Sequence, residues 1–381
     1  MDRRSHERSR PAFHGLVSLA RLAALALVAL SLVGGVAGGL LRACTAPVPC
    51  TIAPWLVAAA VWHAALMIGG FLGTVIAIER AVAVRHRLAF LAPLASGLGG
   101  ACILLSRPAA GAWLLVAASV SFIGVSLVVV RRQDASHTRL LGVGAGAWLA
   151  GNLCLATGDG AAALPWWFAF LVVTIAAERL EMTRLTRRGP HVEPLLWIVV
   201  AGLLGGAALA SVAPAAGFAL FGAALVALAA WLFAFDIARR TLRAAGLPRY
   251  MAACLLLGYG WLAVSGAAWL ALAAGRPARD LALHALGLGF VVGMMMAHAP
   301  VILPAVAGVK VRYGPWFHVP LAVLQLSLLL RLGFGFSDPL VRGLGALLNA
   351  AALAAFALTL LGAAIAWRVM TGARAAPTKA I

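Results

Sequence analysis

The sequence predicts an all-α polytopic membrane protein of about twelve transmembrane helices, and three observations predict it. Apolar residues make up 64% of the 381-residue chain and charged residues 11%, with a mean hydropathy of +1.01. A soluble domain of that balance could not present a polar surface. Apolar windows of the length that crosses a hydrocarbon core, about 20 residues, recur twelve times. Lysine and arginine then fall almost entirely on alternate loops between those windows.

In chain order, span one covers residues 22–41. It follows a basic tail, lacks a small-residue cleavage site and reads as a retained helix rather than a signal peptide. Span two (54–78) holds His63 and the glycines Gly69, Gly70 and Gly73. Spans three (88–106) and four (110–130) are uninterrupted apolar runs, and span five (140–157) carries Asn152. Span six (165–185) closes on Glu178-Arg179. Spans seven (195–213), eight (216–237) and nine (250–274) follow, with Asp236 at the end of span eight. Span ten (281–306) holds His284, His298, Pro300 and Pro304. Spans eleven (316–332) and twelve (340–369) carry Gln325 and Asn349. The domain plan is therefore a tail (1–21), one transmembrane domain (22–370) and a second tail (371–381). Short loops leave nothing for a soluble domain.

The net charge of +19 resembles a nucleic-acid footprint only until its distribution is counted. The side that holds the N-terminus receives 24 of the Lys and Arg residues and the other side six: Arg42, Arg107, Arg276, Arg279, Arg331 and Arg342. That is the positive-inside pattern. It places both termini in the cytoplasm of a bacterial inner membrane and makes the lipid bilayer, not nucleic acid, the partner of the basic residues. The Ala-, Gly- and Arg-rich composition points to a GC-rich bacterial source.

Cys44 and Cys50 share the first outer loop, where a disulfide or two free thiols are expected ahead of a metal trap, because no further ligand flanks them. Cys102, Cys154 and Cys254 read as small apolar packers within spans. A short repeat links spans two and six: Phe71-Leu72-x-x-x-Ile76-Ala77-x-Glu79-Arg80 and Phe170-Leu171-x-x-x-Ile175-Ala176-x-Glu178-Arg179 share six of ten positions. Span ten has a weaker copy in Gly289-Phe290. Two readings follow. Three repeated four-helix units would give a pseudo-threefold bundle; alternatively, Glu-Arg pairs sit at cytoplasmic helix ends for electrostatic reasons.

An ionisable group in hydrocarbon is costly and is a functional-site hypothesis by default. Three histidines qualify: His63, His284 and His298. His63 lies about 13 Å below the outer boundary, with Met67, Gly70 and Thr74 on its face at helical spacing. The glycines thin that helix, which suits either close packing or a flat macrocycle beside a ligating imidazole. His284 opens span ten near the outer boundary. Gly287, Leu288, Val291, Met295 and His298 continue its stripe, which sets the two histidines about 21 Å apart, too far to share one metal. Within the error of the span boundaries, His63 and His284 are at compatible depths for the axial pair of a haem b; His298 is the alternative partner for His63, at a depth that differs more. His298, before Pro300 and Pro304, has freed carbonyls beside it. A kinked helix end with an interfacial histidine is the favoured reading there, ahead of a second metal or a proton relay shared with His318. Met67 and the run Met294-Met295-Met296 offer thioethers to copper, though methionine in an apolar helix is more often a gap-filler. His6, His14, His86, His137 and His191 read as solvated. No Asp, Glu or Lys falls at mid-span, which argues against an ion-coupled carrier. Asn152, Gln325 and Asn349 read as interhelical hydrogen-bonders.

The two histidine segments resemble the NnrS family of polytopic bacterial membrane proteins, which are linked to nitric oxide metabolism and described as binding haem and copper. The family pattern H-A-H-E-M-x-x-G-F corresponds here to His63-Ala64-Ala65-Leu66-Met67-Ile68-Gly69-Gly70-Phe71. The second His and the acidic residue are replaced, which counts against a copper site. The pattern H-A-L-x-x-G matches His284-Ala285-Leu286-Gly287-Leu288-Gly289. The plan is more distantly similar to haem-copper oxidase subunit I, in which a haem hangs between histidines of spans two and ten. No histidine falls in spans six or seven, so the resemblance does not extend to the oxidase's copper centre.

The resemblance implies a haem-binding inner-membrane protein that handles or senses nitric oxide, or moves electrons in that setting with a respiratory partner. The implied ligands are His63 and His284, and Met67, Gly70 and Gly287 would shape the pocket. Two other classes compete: a twelve-span carrier of a small solute lined by His63 and His298, and a cofactor-free assembly factor of a respiratory complex. Reporter fusions test the topology. Alkaline phosphatase, active only after export, is expected to be active when fused after residue 107 or 276 and inactive after residue 133 or 244; activity at all four sites would break the twelve-span order.

Overall fold

The computed structural model describes residues 4–43, 52–183 and 189–375. Cys44 and Cys50 lie outside the described residues. All regular structure among the described residues is helical. Among the described residues, twelve helices are long and apolar enough to cross a membrane: Leu19–Ala43, Ala65–Val84, Arg87–Leu104, Pro108–Arg132, Ser136–Ala156, Gly160–Met182, Val192–Ala210, Pro214–Phe235, Leu247–Ala273, Arg279–Pro304, Pro315–Phe336 and Pro339–Thr371. These are spans one to twelve below. The protein is an all-α, multi-pass membrane protein, and its exposed leucines, valines and isoleucines are the lipid-facing surface that such helices require.

Contacts group the chain into two compact units rather than three, Met1–Trp167 and Phe168–Ile381. Within the first unit, glycine sets the helix approach. Lipid is as apolar as leucine, so helices associate through close packing rather than a hydrophobic drive. Gly38 of span one meets the backbone of Ala59 with no room for a methyl group. Gly34 receives Leu104, Gly97 receives Leu27, and Gly70 and Gly100 touch across Ser31. In the second unit Gly217 packs on Ala210, Gly206 on Phe221, and Gly222 and Gly266 on each other.

Three stretches depart from α geometry and take i→i+5 bonding: Ala65–Gly73 in span two, Ala285–Val292 in span ten and Leu329–Gly333 in span eleven. The first has a local cause. Ser96 Oγ donates to the Gly69 carbonyl at 2.9 Å and Thr74 Oγ1 to the Gly70 carbonyl at 2.7 Å. Hydroxyls entering the ladder loosen it, and the glycines there have no Cβ to resist. Span two also enters through a separate short helix, Pro54–Val61, which breaks at Trp62. His63 sits at that break rather than inside one continuous helix over 54–78. The amides expected to join helices do so. Asn152 Nδ2 donates to the Leu115 carbonyl at 2.9 Å and its Oδ1 accepts from Trp167 at 2.8 Å. Gln325 accepts from Trp261 at 2.7 Å, and Asn349 from Ser327 at 2.6 Å.

Because the Gly38 crossing is backbone against backbone, Gly38→Ala is expected to cost about 1–3 kcal/mol, the range for overpacking. Gly124→Ala, where nothing lies within 4 Å of the added methyl, is expected to leave stability unchanged or raise it. Thermal midpoints in detergent would read both.

Candidate functional site

In the first unit, the stripe His63–Met67–Gly70 is turned toward span one. His63 packs on Gly39, Met67 on Gly35 and Gly70 on Ser31, so the contacts run antiparallel down the two helices. A methyl group on Gly39 would come within 2.8 Å of His63 Cε1. The half-buried His63 ring donates from Nδ1 to the Gly35 carbonyl at 2.7 Å, which sets its tautomer. The space that Gly70 leaves is filled by Ser31 and Gly100, and Met67 sulfur occupies the notch at Gly35.

In the second unit, one histidine of span ten joins an arginine–aspartate pair toward each end of the helix. At its start, Arg331 from the i→i+5 stretch of span eleven grips Asp280 with two bonds, Nη2 to Oδ1 at 2.8 Å and Nε to Oδ2 at 3.1 Å. His284, one turn on from Asp280, brings Nδ1 within 2.9 Å of the same carboxylate. Arg331 Nη2 also lies 3.1 Å from His284 Nε2. Both ring nitrogens are therefore engaged. Gly287 is less crowded; its nearest neighbour would be Phe168, 3.8 Å from an added methyl.

Toward the other end, Arg179 of span six and Asp236 at the end of span eight form an ion pair with side chains 5% and 1% exposed. Arg179 Nε donates to Oδ2 at 2.7 Å and Nη2 to Oδ1 at 3.1 Å. Asp236 Oδ1 also accepts the backbone N–H of Ala238 at 2.7 Å. The remaining arm, Arg179 Nη1, reaches His298 Nε2 at 3.3 Å, and His298 Nδ1 donates to the Met294 carbonyl at 2.7 Å. His298 is thus a component of a buried charge cluster rather than the free interfacial histidine the sequence favoured. Tyr259 of span nine, fully buried, lies beside the pair.

The histidines of span ten do not share one face. His284 turns to span eleven and His298 to span six. An i→i+5 turn rotates less per residue than an α turn, so the stripe drawn at α spacing drifts across Ala285–Val292. His318 bonds the Pro315 carbonyl at 3.0 Å and packs edge-on against Tyr250 with ring centroids 5.2 Å apart. His137, expected in solvent, is buried at the start of span five because the helix begins at Ser136 and turns the ring inward. His86 and His191 are exposed. Cys102 and Cys154 are half-buried and Cys254 is buried, all as free thiols. Among the described residues no group of three or more His, Cys, Asp or Glu side chains is placed to hold a metal ion.

Fold and composition define a multi-pass, all-α membrane protein. Residues 21–365 match the model of a family described as a domain of unknown function, DUF8744, and the chain belongs to that family. No curated protein and no solved structure matches it.

Removing one member of a buried pair strands the other's charge, at a cost of about 3–5 kcal/mol. Arg179→Ala and Asp236→Asn are each expected to lower the thermal midpoint sharply, and the double substitution Arg179→Met with Asp236→Leu to lower it less than either. Asp134 and Arg139 form a pair at 2.6 Å with side chains 60% and 58% exposed. Arg139→Ala there is expected to leave the midpoint unchanged.

Proposed function

We propose that the protein binds haem b in the membrane, with His63 and His284 as its candidate ligands, and serves nitric oxide handling or sensing, or the electron transfer tied to it. The observation that carries this reading is the seating of the His63 ring. Its Nδ1–H is committed to the Gly35 carbonyl at 2.7 Å, which makes Nε2 the ligating atom of this tautomer. Metal-ligating histidines ordinarily have such a backbone or carboxylate partner behind them. His284 has one too, with Nδ1 2.9 Å from Asp280, and a carboxylate in that position raises ligand basicity. Ligation by His284 requires Arg331 to leave Nε2. A guanidinium fork then matches a carboxylate such as a haem propionate.

When bound, the haem supplies one-electron chemistry and an iron centre for a gas. The chain's part is to hold and orient it and to keep water away. Met67 and Gly70 serve this reading by packing span two on span one and so fixing the His63 ring; Gly287 serves it by leaving room beside His284. Copper is outside the reading, since Ala65 and Leu66 offer no donor beside His63. The nitric oxide setting rests on the NnrS resemblance, and the bacterial inner membrane with cytoplasmic termini on the uneven spread of arginine.

A second reading, a carrier of a small polar solute, is favoured by one observation: span ten carries an arginine–aspartate–histidine group toward each of its ends. Paired polar locks on one helix suit alternate opening at two faces. A dithionite-reduced minus oxidised spectrum of the purified protein, with a pyridine-haemochrome assay, separates the two. The expected result is a b-type spectrum that His63→Ala abolishes and His284→Ala alters. A colourless protein from haem-sufficient cells would remove the haem reading and leave the carrier.

A further inference from the structure

The Arg179–Asp236 pair is complete without His298, yet its remaining arm is spent on that ring. In the arrangement present, His298 is a neutral acceptor: Nδ1–H is given to the Met294 carbonyl and Nε2 takes Arg179 Nη1. A protonated ring has no lone pair to offer. Gaining a proton on Nε2 must therefore break the Arg179 contact and release one guanidinium N–H inside a water-poor site, where an unmade hydrogen bond is expensive. An acceptor is already beside it. The Tyr259 hydroxyl is buried beside both Arg179 and Asp236, close enough to interact with each but in a well-aligned hydrogen bond with neither. Phe233, three residues before Asp236, braces the Tyr259 ring edge-on at 5.5 Å.

We propose that His298, Arg179, Asp236 and Tyr259 form a proton-binding site, in which His298 gains and loses the proton and Tyr259 accepts the arm of Arg179 that protonation displaces. The proton arrives from water and makes one N–H bond on Nε2; no other covalent bond changes and no electron moves. Asp236 supplies the fixed negative charge that lets two cations sit together. The titratable groups gathered around the ring are Arg179, with Glu178 next to it, from span six; Asp236 from the end of span eight; and Tyr259 from span nine. The site contains neither His63 nor His284, and it stands whether or not haem is bound.

The test is pH-difference infrared spectroscopy on the full-length protein in lipid nanodiscs, between pH 8 and pH 5, the range in which histidine ordinarily titrates. The chain has only three tyrosines, Tyr250, Tyr259 and Tyr313, so a tyrosine band is assignable by substitution. The expected spectrum has an imidazolium band and a shifted tyrosine C–O stretch that rise together. His298→Gln should remove the tyrosine band and only diminish the imidazolium band, since the chain's other eight histidines also titrate. Tyr259→Phe should remove the tyrosine band and keep the imidazolium band. If the tyrosine band does not move with pH, or persists in Tyr259→Phe, or persists in His298→Gln, the proposal is overturned. The wild type and Tyr259→Phe decide it even if His298→Gln does not fold.

Discussion

A polar group held in hydrocarbon has no water to turn to, and much of this architecture answers to that constraint. Asn152 reaches the backbone of span four and takes the indole N–H of Trp167 in the same unit. The carbonyls of Gly69 and Gly70, loosened from α bonding, accept the hydroxyls of Ser96 and Thr74. Arg179 and Asp236 satisfy one another almost entirely away from solvent. In each case the partner comes from another helix or from a neighbouring turn, so satisfying the group also positions the helix that carries it.

Glycine governs the other half of the assembly. Where Gly35, Gly38 and Gly39 remove side chains from span one, the segment from Ala59 to Met67 lies directly on the bared backbone. Such a contact gains many small dispersion terms and no directional bond. His63 adds the direction: one hydrogen bond to the Gly35 carbonyl fixes the rotation of a contact that glycine alone would leave free to slide. Packing and ring orientation are therefore one problem at this crossing.

The twelve spans were legible because hydropathy and arginine distribution depend only on composition along the chain, and the helices found agree with the windows to within a few residues at most ends. Asn152, Gln325 and Asn349 were legible for the same reason, since a lone amide in an apolar helix has few choices. The two clusters on span ten were only half visible. Arg179 was counted as a loop cation because sequence distance hides the partner in Asp236, and the spacing of Asp280 and His284, four residues apart, was the missed signal for the other. The face shared by His63, Met67 and Gly70 was read correctly as a face, but what lies against it is a tertiary fact. The stripe from His284 to His298 failed for a different reason: it assumed a constant turn per residue, and nothing in single-residue preference announces an i→i+5 stretch.

That stretch has a consequence for how span ten can be specified at all. On a rigid rod of constant pitch, the direction in which a residue points is decided by its distance from any other, so aiming one end fixes the aim of the other. Ala285–Val292 acts as a phase adjuster between them. The half that addresses span eleven and the half that addresses span six can each be matched to its neighbour independently, on one unbroken helix.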